Sequence, residues 1–309
     1  MPIPDTVHHV GVLTADLDAA REKWAAATGY TFSPVTRYRC VAYRDLNNPE
    51  PHLHDARISF SFEGRPFIEL MGQTGEGTHS AKHGEGGHHL GFPVIPDNVV
   101  RAAELADLGI AIDGENIQDG RSILMFTERP ALNNVHAEYV EDGHDHPDVK
   151  DDGSPVNRLP NGEKTLFELE TVERLTGAAP GGPLITEIGI VVADLSAAVA
   201  RWGEVTGYTF AAAADAAASG AAASGAGELA VISDQGLPRI RLVQNDSDQS
   251  AEGLRFLILD HAADLEDRLA ALEAAGVRVA KAVRDEQGVL TALWTDPADL
   301  NGIQLRYSS

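Results

Sequence analysis

Apolar positions recur along this chain with two periods, and the two alternate. "VHHVGVL" (Val7 to Leu13) alternates as a strand does, whereas Leu17, Ala20 and Trp24 recur at three or four residues, the spacing of one helix face. Asp16 stands where a helix N-cap is expected, and Gly29 where a left-handed residue closes the last turn. Extended patterns follow in "SPVTRYRCVAY", "ARISFSFEG" and "RPFIELMG". The order then restarts. "HHLGFPV" reads as a strand, "DNVVRAAELADLG" as a helix ended by Gly109, and "RSILMFT" and "NVHAEYV" as further strands. The predicted unit is a strand, a helix, then about three strands.

That unit is repeated on a larger scale. "VHHVGVLTADLDAAREKWAAATGYTF" (Val7 to Phe32) aligns without a gap on "ITEIGIVVADLSAAVARWGEVTGYTF" (Ile185 to Phe210), with Trp24 and Trp202 in the same place. "TERPALNNVHAEYV" (Thr127 to Val140) aligns likewise on "TDPADLNGIQLRYS" (Thr295 to Ser308). The chain is therefore a duplication of a half that is itself two units long. The expected organisation is a domain over residues 1–142 (modules 5–72 and 86–142), a polar linker over 143–183 carrying one short helix, and a second domain over 184–309. The low-complexity stretch Ala211–Gly227 is expected to be a flexible loop where the first half has an ordered strand.

Composition narrows the function. With 43% apolar residues and no run long enough for a membrane span, the chain reads as a globular protein. The N-terminus "MPIPDTVHH" has neither a basic nor an apolar signal region, and the single cysteine, Cys40, fits a reducing cytoplasm and a buried thiol. A formal charge of −23 argues against nucleic acid or an anionic membrane as partner, because each phosphate contact needs Lys or Arg. Eleven of the twelve histidines precede residue 150, so the halves are expected to differ in function.

Alternation sorts those histidines. In the first strand His8, Val10 and Val12 share one face, and Val7, His9 and Gly11 the other; in "HHLGF" His88 goes with Leu90 and Phe92, and His89 with Gly87 and Gly91. The bulky rows are expected to pack under the helices. His9 and His89 then project from the opposite face, where Gly11 and Gly91 leave room for a metal or substrate. The same test puts Glu69 of "PFIELMG" on that face and groups His136, Glu138 and Val140. Two imidazoles and two carboxylates suit Zn, Ni, Co, Mn or Fe. Without a cation, a buried carboxylate pair is costly.

"HHVGVLTADLDAA", "FIELMG", "HHLGF" and "NNVHAEYV", with their counterparts "TEIGIVVADLSAA" and "NGIQLRY", resemble the vicinal oxygen chelate superfamily, the glyoxalase, bleomycin-resistance and extradiol dioxygenase group. The resemblance implies an α+β fold of four βαβββ modules, paired into two domains with cupped mixed sheets around one divalent metal. It places the ligands on His9, Glu69, His89 and Glu138, closest to the glyoxalase I and methylmalonyl-CoA epimerase pattern. Four modules in one chain fit a monomer or homodimer. In the second half the matching positions read as Glu187, Arg241, Arg255 and Arg306; arginine offers a metal no lone pair, so that pseudo-site is expected to bind no metal and to form a charge cluster.

Two free coordination positions suit a small carbonyl or hydroxycarbonyl substrate. The resemblance then implies a redox-neutral isomerase, epimerase or lyase acting through a metal-stabilised enolate, with Glu138 as base and His136 as proton shuttle or substrate-orienting group. A ring-cleaving extradiol dioxygenase and a binding protein without turnover are the alternatives. The Gly/His-rich connector Gly72–Gly87 is expected to be a flexible loop, with His79, His83 and Glu76 as lesser candidates for touching substrate. Arg37 and Arg39 are candidates for an acidic substrate, and "GHDHPD" (Gly143 to Asp148) for adventitious metal.

Overall fold

The computed structural model describes residues 7–63, 66–74, 77–118, 120–141, 148–150, 183–213, 229–245, 252–260 and 265–308. Four modules of one strand, one helix and three strands follow each other. The first is β1 (His9–Thr14), α1 (Leu17–Thr28), β2 (Thr36–Asp45), β3 (Asn48–Phe60) and β4 (Phe67–Gly72); the second is β5 (Gly86–Ile95), α2 (Asn98–Asp107), β6 (Ile112–Gln118), β7 (Arg121–Thr127) and β8 (His136–Glu141). A short strand, β9 (Asp148–Lys150), pairs with β2, so part of the expected linker extends the first sheet. The rest of that linker, with its expected helix and most of "GHDHPD", lies outside the described residues. The third module is β10 (Leu184–Val192), α3 (Leu195–Thr206), β11 (Phe210–Ala212), β12 (Ala230–Ser233) and β13 (Arg239–Gln244). The fourth is β14 (Gly253–Asp260), α4 (Leu265–Ala274), β15 (Val279–Arg284), β16 (Leu290–Thr295) and β17 (Gln304–Ser308). This is the α+β, two-sheet vicinal-oxygen-chelate architecture.

Local chemistry sets the helix limits. Asp16 Oδ1 accepts a hydrogen bond from the Ala19 amide at 3.0 Å, and Asp194 Oδ1 one from Ala197 at 2.9 Å. Gly29 and Gly207 close the two helices with φ of 76° and 75°. Of the apolar stripe in α1, Leu17, Ala20, Trp24 and Ala27 are buried, and of that in α3, Ala198, Trp202 and Val205.

The first sheet runs β3-β4-β1-β5-β8-β7-β6-β2-β9, and β2 also pairs with β3, so eight strands close into a ring. The second runs β11-β12-β13-β10-β14-β17-β16-β15 and stays open among the described residues. Most of the expected Ala/Gly loop, residues 214–228, lies outside them. A large core joins the halves: Val10, Trp24, Leu90 and Tyr139 belong to the same apolar cluster as Ile188, Trp202, Leu257 and Tyr307. A second, smaller core fills the closed first sheet with Tyr43, Ile58, Phe60, Phe67, Met71, Leu124 and Phe126.

The halves clasp each other with the same contacts in both directions. Trp24 Nε1 donates to Asn301 Oδ1 at 3.1 Å, and Trp202 Nε1 to Asn133 Oδ1 at 3.2 Å. Both asparagines hold the left-handed conformation, with φ of 53° and 54°. Arg101 lies over the Tyr139 ring and donates to the Val205 carbonyl, while Arg268 lies over Tyr307 and donates to the carbonyls of Ala26 and Ala27. Among the described residues, no helix is long and apolar enough to cross a membrane.

Candidate metal centre

Strand register brings the four acid and imidazole groups to one spot inside the closed sheet. Gly11 of β1 lies level with Glu69 of β4 on one side and His89 of β5 on the other, and Gly91 of β5 lies level with His9 and with Glu138 of β8. The two glycines serve the rings themselves. A Cβ on Gly11 would sit 2.1 Å from the His89 ring, and one on Gly91 2.0 Å from the His9 ring. Each imidazole thus lies across the glycine of the neighbouring strand. The space those glycines create is filled by the histidines, whereas the sequence suggested room for a metal or substrate.

His9 Nε2 and His89 Nε2 are 2.8 Å apart. Glu69 Oε2 lies 3.4 Å from His9 Nε2 and 3.0 Å from His89 Nε2; Glu138 Oε2 lies 2.7 and 3.5 Å from the same atoms. Adjacent donors around a first-row ion with bonds of about 2.0–2.2 Å are separated by about 3 Å, which the spacing of His9, His89 and Glu138 fits, with Glu69 near both imidazoles but outside that mutually close trio. The donor atoms of His9, His89 and Glu138 all lie within 4.8 Å of one another, and all four residues are buried. Glu138 Oε2 accepts no hydrogen bond despite that burial. Lone pairs converging in a dry place, one on an otherwise unserved carboxylate oxygen, suit a cation.

His88 departs from the expected alternation. The β1–β5 ladder slips between Gly11 and Val12: Gly11 faces His89 while Val12 faces Gly87, which makes His88 the extra residue of a β-bulge. The bulge turns His88 to the same side as His89. The Phe126 ring centroid lies 6.0 Å from His88, 5.3 Å from His89 and 5.7 Å from His136. His88 Nδ1 lies 2.9 Å from His89 Nδ1, and His88 Nε2 2.8 Å from the Thr78 carbonyl oxygen. His8, just before β1, likewise turns to His9, Nδ1 to Nδ1 at 2.9 Å, and packs near Phe67. Each histidine doublet is therefore a pair of rings in contact. The adjacent Gly86 and Gly87, the first with φ of 131°, were the sequence signal for the bulge.

The bulge also realigns the second half. Gly189 faces Phe256, as Gly11 faces His89, and the left-handed Gly253 stands for Gly86. The counterpart of His89 is therefore Phe256, and the sequence assignment of Arg255 was one residue short. The pseudo-site consists of Glu187, Arg241, Phe256 and Arg306. Glu187 binds Arg241 at 2.5 Å and Arg239 at 3.1 Å, and the Arg306 guanidinium lies 3.6 Å over the Phe256 ring.

A small pocket, partly open to solvent, lies against the centre and is lined by Tyr43, His54, Ile58, Glu69, His79, Leu124, Phe126 and Glu138. The connector that supplies His79 is ordered where described. Thr78, His79 and Ser80 are buried, and Ala81–His83 form a 3-10 turn, unlike the expected loose loop. Glu76 and the side chains of Arg37 and Arg39 lie outside the described residues. His79 Nδ1 contacts His54 Nε2 at 3.0 Å, its Nε2 has no hydrogen-bond partner, and His54 stacks on Tyr43. His54 escaped the sequence reading although it alternates with Ala56, Ile58 and Phe60, all buried. His136 does not line the pocket; it packs behind Phe126 against His88 at 4.5 Å, with Nδ1 donating to the Thr127 carbonyl.

Burial keeps these imidazoles neutral. Desolvation lowers His54 to about 4 and His136 to about 3, and holds His79, His88 and His89 well below the ordinary histidine value, with neighbouring histidines pushing the same way on the last three. Neutral imidazole is the form that binds a metal. Burial likewise raises Cys40 to about 11, leaving it a protonated core thiol that contacts Asn116.

A cupped two-sheet fold of this kind, with His and Glu side chains converging inside the first sheet, is the vicinal-oxygen-chelate architecture. Residues 8–125 match the family model of the Glyoxalase/Bleomycin resistance protein/Dioxygenase superfamily, and the resemblance read from the sequence is borne out there. A mutant 4-hydroxymandelate synthase from Streptomyces coelicolor superposes with a TM-score of 0.60 at 13% identity, over 99% of this chain and 92% of that one. The 2,3-dioxygenase LapB from Pseudomonas sp. KL28 does so with 0.53 at 11%, over 100% and 93%. At these identities the likeness is one of fold. Comparison with curated protein sequences gives no match.

Proposed function

We propose that His9, Glu69, His89 and Glu138 hold one divalent metal ion and that the chain is a redox-neutral isomerase, epimerase or lyase for a small oxygen-chelating substrate, acting through an enolate. The observation that carries this reading is the fourth donor. Glu69 Oε2 stands 3.4 Å from His9 Nε2 and 3.0 Å from His89 Nε2, beside the close trio of His9, His89 and Glu138, so a second carboxylate is in reach to balance a dication in a buried cup. A cation held there supplies Lewis-acid polarisation of substrate oxygens, easing loss of a proton from the neighbouring carbon.

The chain's own groups do the rest. Glu138, at the pocket wall, accepts that proton. His79, rather than His136, is the second proton-handling group: it lines the pocket, its Nε2 is unpartnered, and His54 fixes its ring. Ile58, Leu124 and Phe126 give an apolar wall, so the favoured substrate is small and carries an apolar group beside its paired oxygens.

A second reading rests on the subset His9, His89 and Glu138, which is the two-histidine, one-carboxylate set of non-haem iron oxygenases. Protein loaded with ferrous ion is assayed aerobically on catechols, and protein loaded with Co, Ni, Mn or Zn is incubated anaerobically in deuterated water with hydroxycarbonyl compounds. Deuterium entering substrate supports the enolate reading. Oxygen uptake with ring cleavage replaces it.

A further inference from the structure

We infer that His88 is a positioning residue that fixes the proton of His89 on Nδ1, so that the Thr78 carbonyl decides which imidazole nitrogen is offered to the metal. This rests on the proposed metal centre and adds a residue to it. The argument runs inward from a carbonyl. The Thr78 oxygen can only accept, so His88 Nε2, 2.8 Å away, carries the hydrogen. With that hydrogen on Nε2, buried His88 presents Nδ1 as its lone pair. It faces His89 Nδ1 at 2.9 Å and accepts from it, which leaves His89 Nε2 bare and directed at His9 Nε2, Glu69 and Glu138.

The bulge at His88 is the backbone device that permits this, since a regular strand would point His88 away from His89. His136, 4.5 Å from the His88 ring, backs it from the far side. Charge explains why an imidazole stands here in place of the more usual carboxylate. Two glutamates already neutralise a dication, and a third buried carboxylate would leave an uncompensated negative charge. The far end of the chain of bonds is also anchored, because Thr78 Oγ1 and the Tyr43 hydroxyl are 2.7 Å apart. Tyr43 lines the pocket, so the residue that orders His89 is tied to the substrate wall.

The test compares full-length wild type, His88→Leu and His88→Asn, each stripped with chelator and titrated with zinc and with cobalt. Affinity is read by competition with a chromophoric chelator, and ligand geometry by the cobalt absorption spectrum. His88→Leu should bind zinc about 10–100-fold more weakly. His88→Asn, whose amide oxygen falls where Nδ1 was, should recover most of the loss and the wild-type spectrum. Nitrogen NMR of zinc-loaded wild type should place the His89 proton on Nδ1, which needs no variant to fold. A proton on Nε2, unchanged zinc affinity in His88→Leu, or equal losses in both variants would overturn the inference while leaving the metal centre standing. Wild type that binds no zinc or cobalt would instead remove the metal centre itself, and this inference with it.

Discussion

The two halves of the chain put one backbone to opposite electrostatic uses. Register, helix caps and the cross-clasping Trp–Asn pairs coincide. At the centre of the first sheet stand four groups with lone pairs and no cation of their own. At the centre of the second, Glu187 is bonded by Arg241 and Arg239, and Arg306 rests on Phe256. The second half has built its cation into the sequence; on the proposed function, the first takes its cation from solution. The difference teaches that the module's backbone accommodates either set of central side chains, an Arg–Glu cluster or a His–Glu one. The buried imidazoles of the first half also make it sensitive to acid, because protonating them favours the unfolded chain.

The largest effect should come from emptying the first centre. His9→Ala and Glu138→Ala each remove a donor, and metal analysis of the purified variants should find less than a tenth of the wild-type content. Arg241→Ala and Arg306→Ala in the second half should leave it unchanged. Full metal content in the first pair, or a loss in the second, would break the comparison.

Acid should separate the halves next. His54 and His136 are held to about 4 and 3 by burial, against about 6.5 in an unfolded chain. Their folded pKa values are depressed, so the folded state binds fewer protons than the unfolded one. The stability this gives is complete above pH 6.5 and is lost as pH falls toward 4 and 3. Each such group contributes a slope of about 1.4 kcal/mol per pH unit across its window. Denaturant melts of metal-free protein between pH 7 and 4.5 measure the slope, and His54→Gln should reduce it by about one proton. A flat profile would mean that these imidazoles are charged or exposed.

Most of this was legible in the chain, for a physical reason. Alternation and helical spacing are forced by burial, so the four modules, the caps at Asp16 and Asp194, and the faces of His9 and Glu138 could be read directly. What escaped at the centre has one kind of cause, a single extra residue in β5 and its counterpart in β14. A bulge changes no composition and only interrupts the period, so His88 was put on the wrong face and Phe256 was mistaken for Arg255. The pocket wall escaped differently. Tyr43, His54 and His79 meet only because β2 closes the first sheet, and closure is a long-range fact that local patterns do not carry.

Gly91→Ala and Gly189→Ala sharpen the comparison further. A methyl at either position meets a ring about 2 Å away, that of His9 in one half and Phe256, lying over Gly189, in the other. Overpacking of this kind costs about 1–3 kcal/mol, so both variants should melt lower by similar amounts. Only Gly91→Ala should also lose metal affinity, because only there does the displaced ring carry a donor atom. Equal metal binding in the two variants would show that the His9 ring does not hold the metal.

The smallest effect tests whether the halves are equal where they grip each other. Asn133 and Asn301 accept from Trp202 and Trp24 across the interface and hold left-handed φ. Asn→Gly at each removes the amide and all its hydrogen bonds while tolerating the backbone. One neutral bond contributes about 1 kcal/mol, so the two variants should shift denaturant midpoints alike. Asn301 also donates to Thr14 and Glu85 beside the first module, whereas Asn133 donates to Glu252 beside the third. Each thus ties the opening module of the opposite half. An Asn301 effect several times larger than that of Asn133 would mean that the metal-bearing half leans on its partner more than the partner leans on it, and the clasp would be symmetric in form but not in energy.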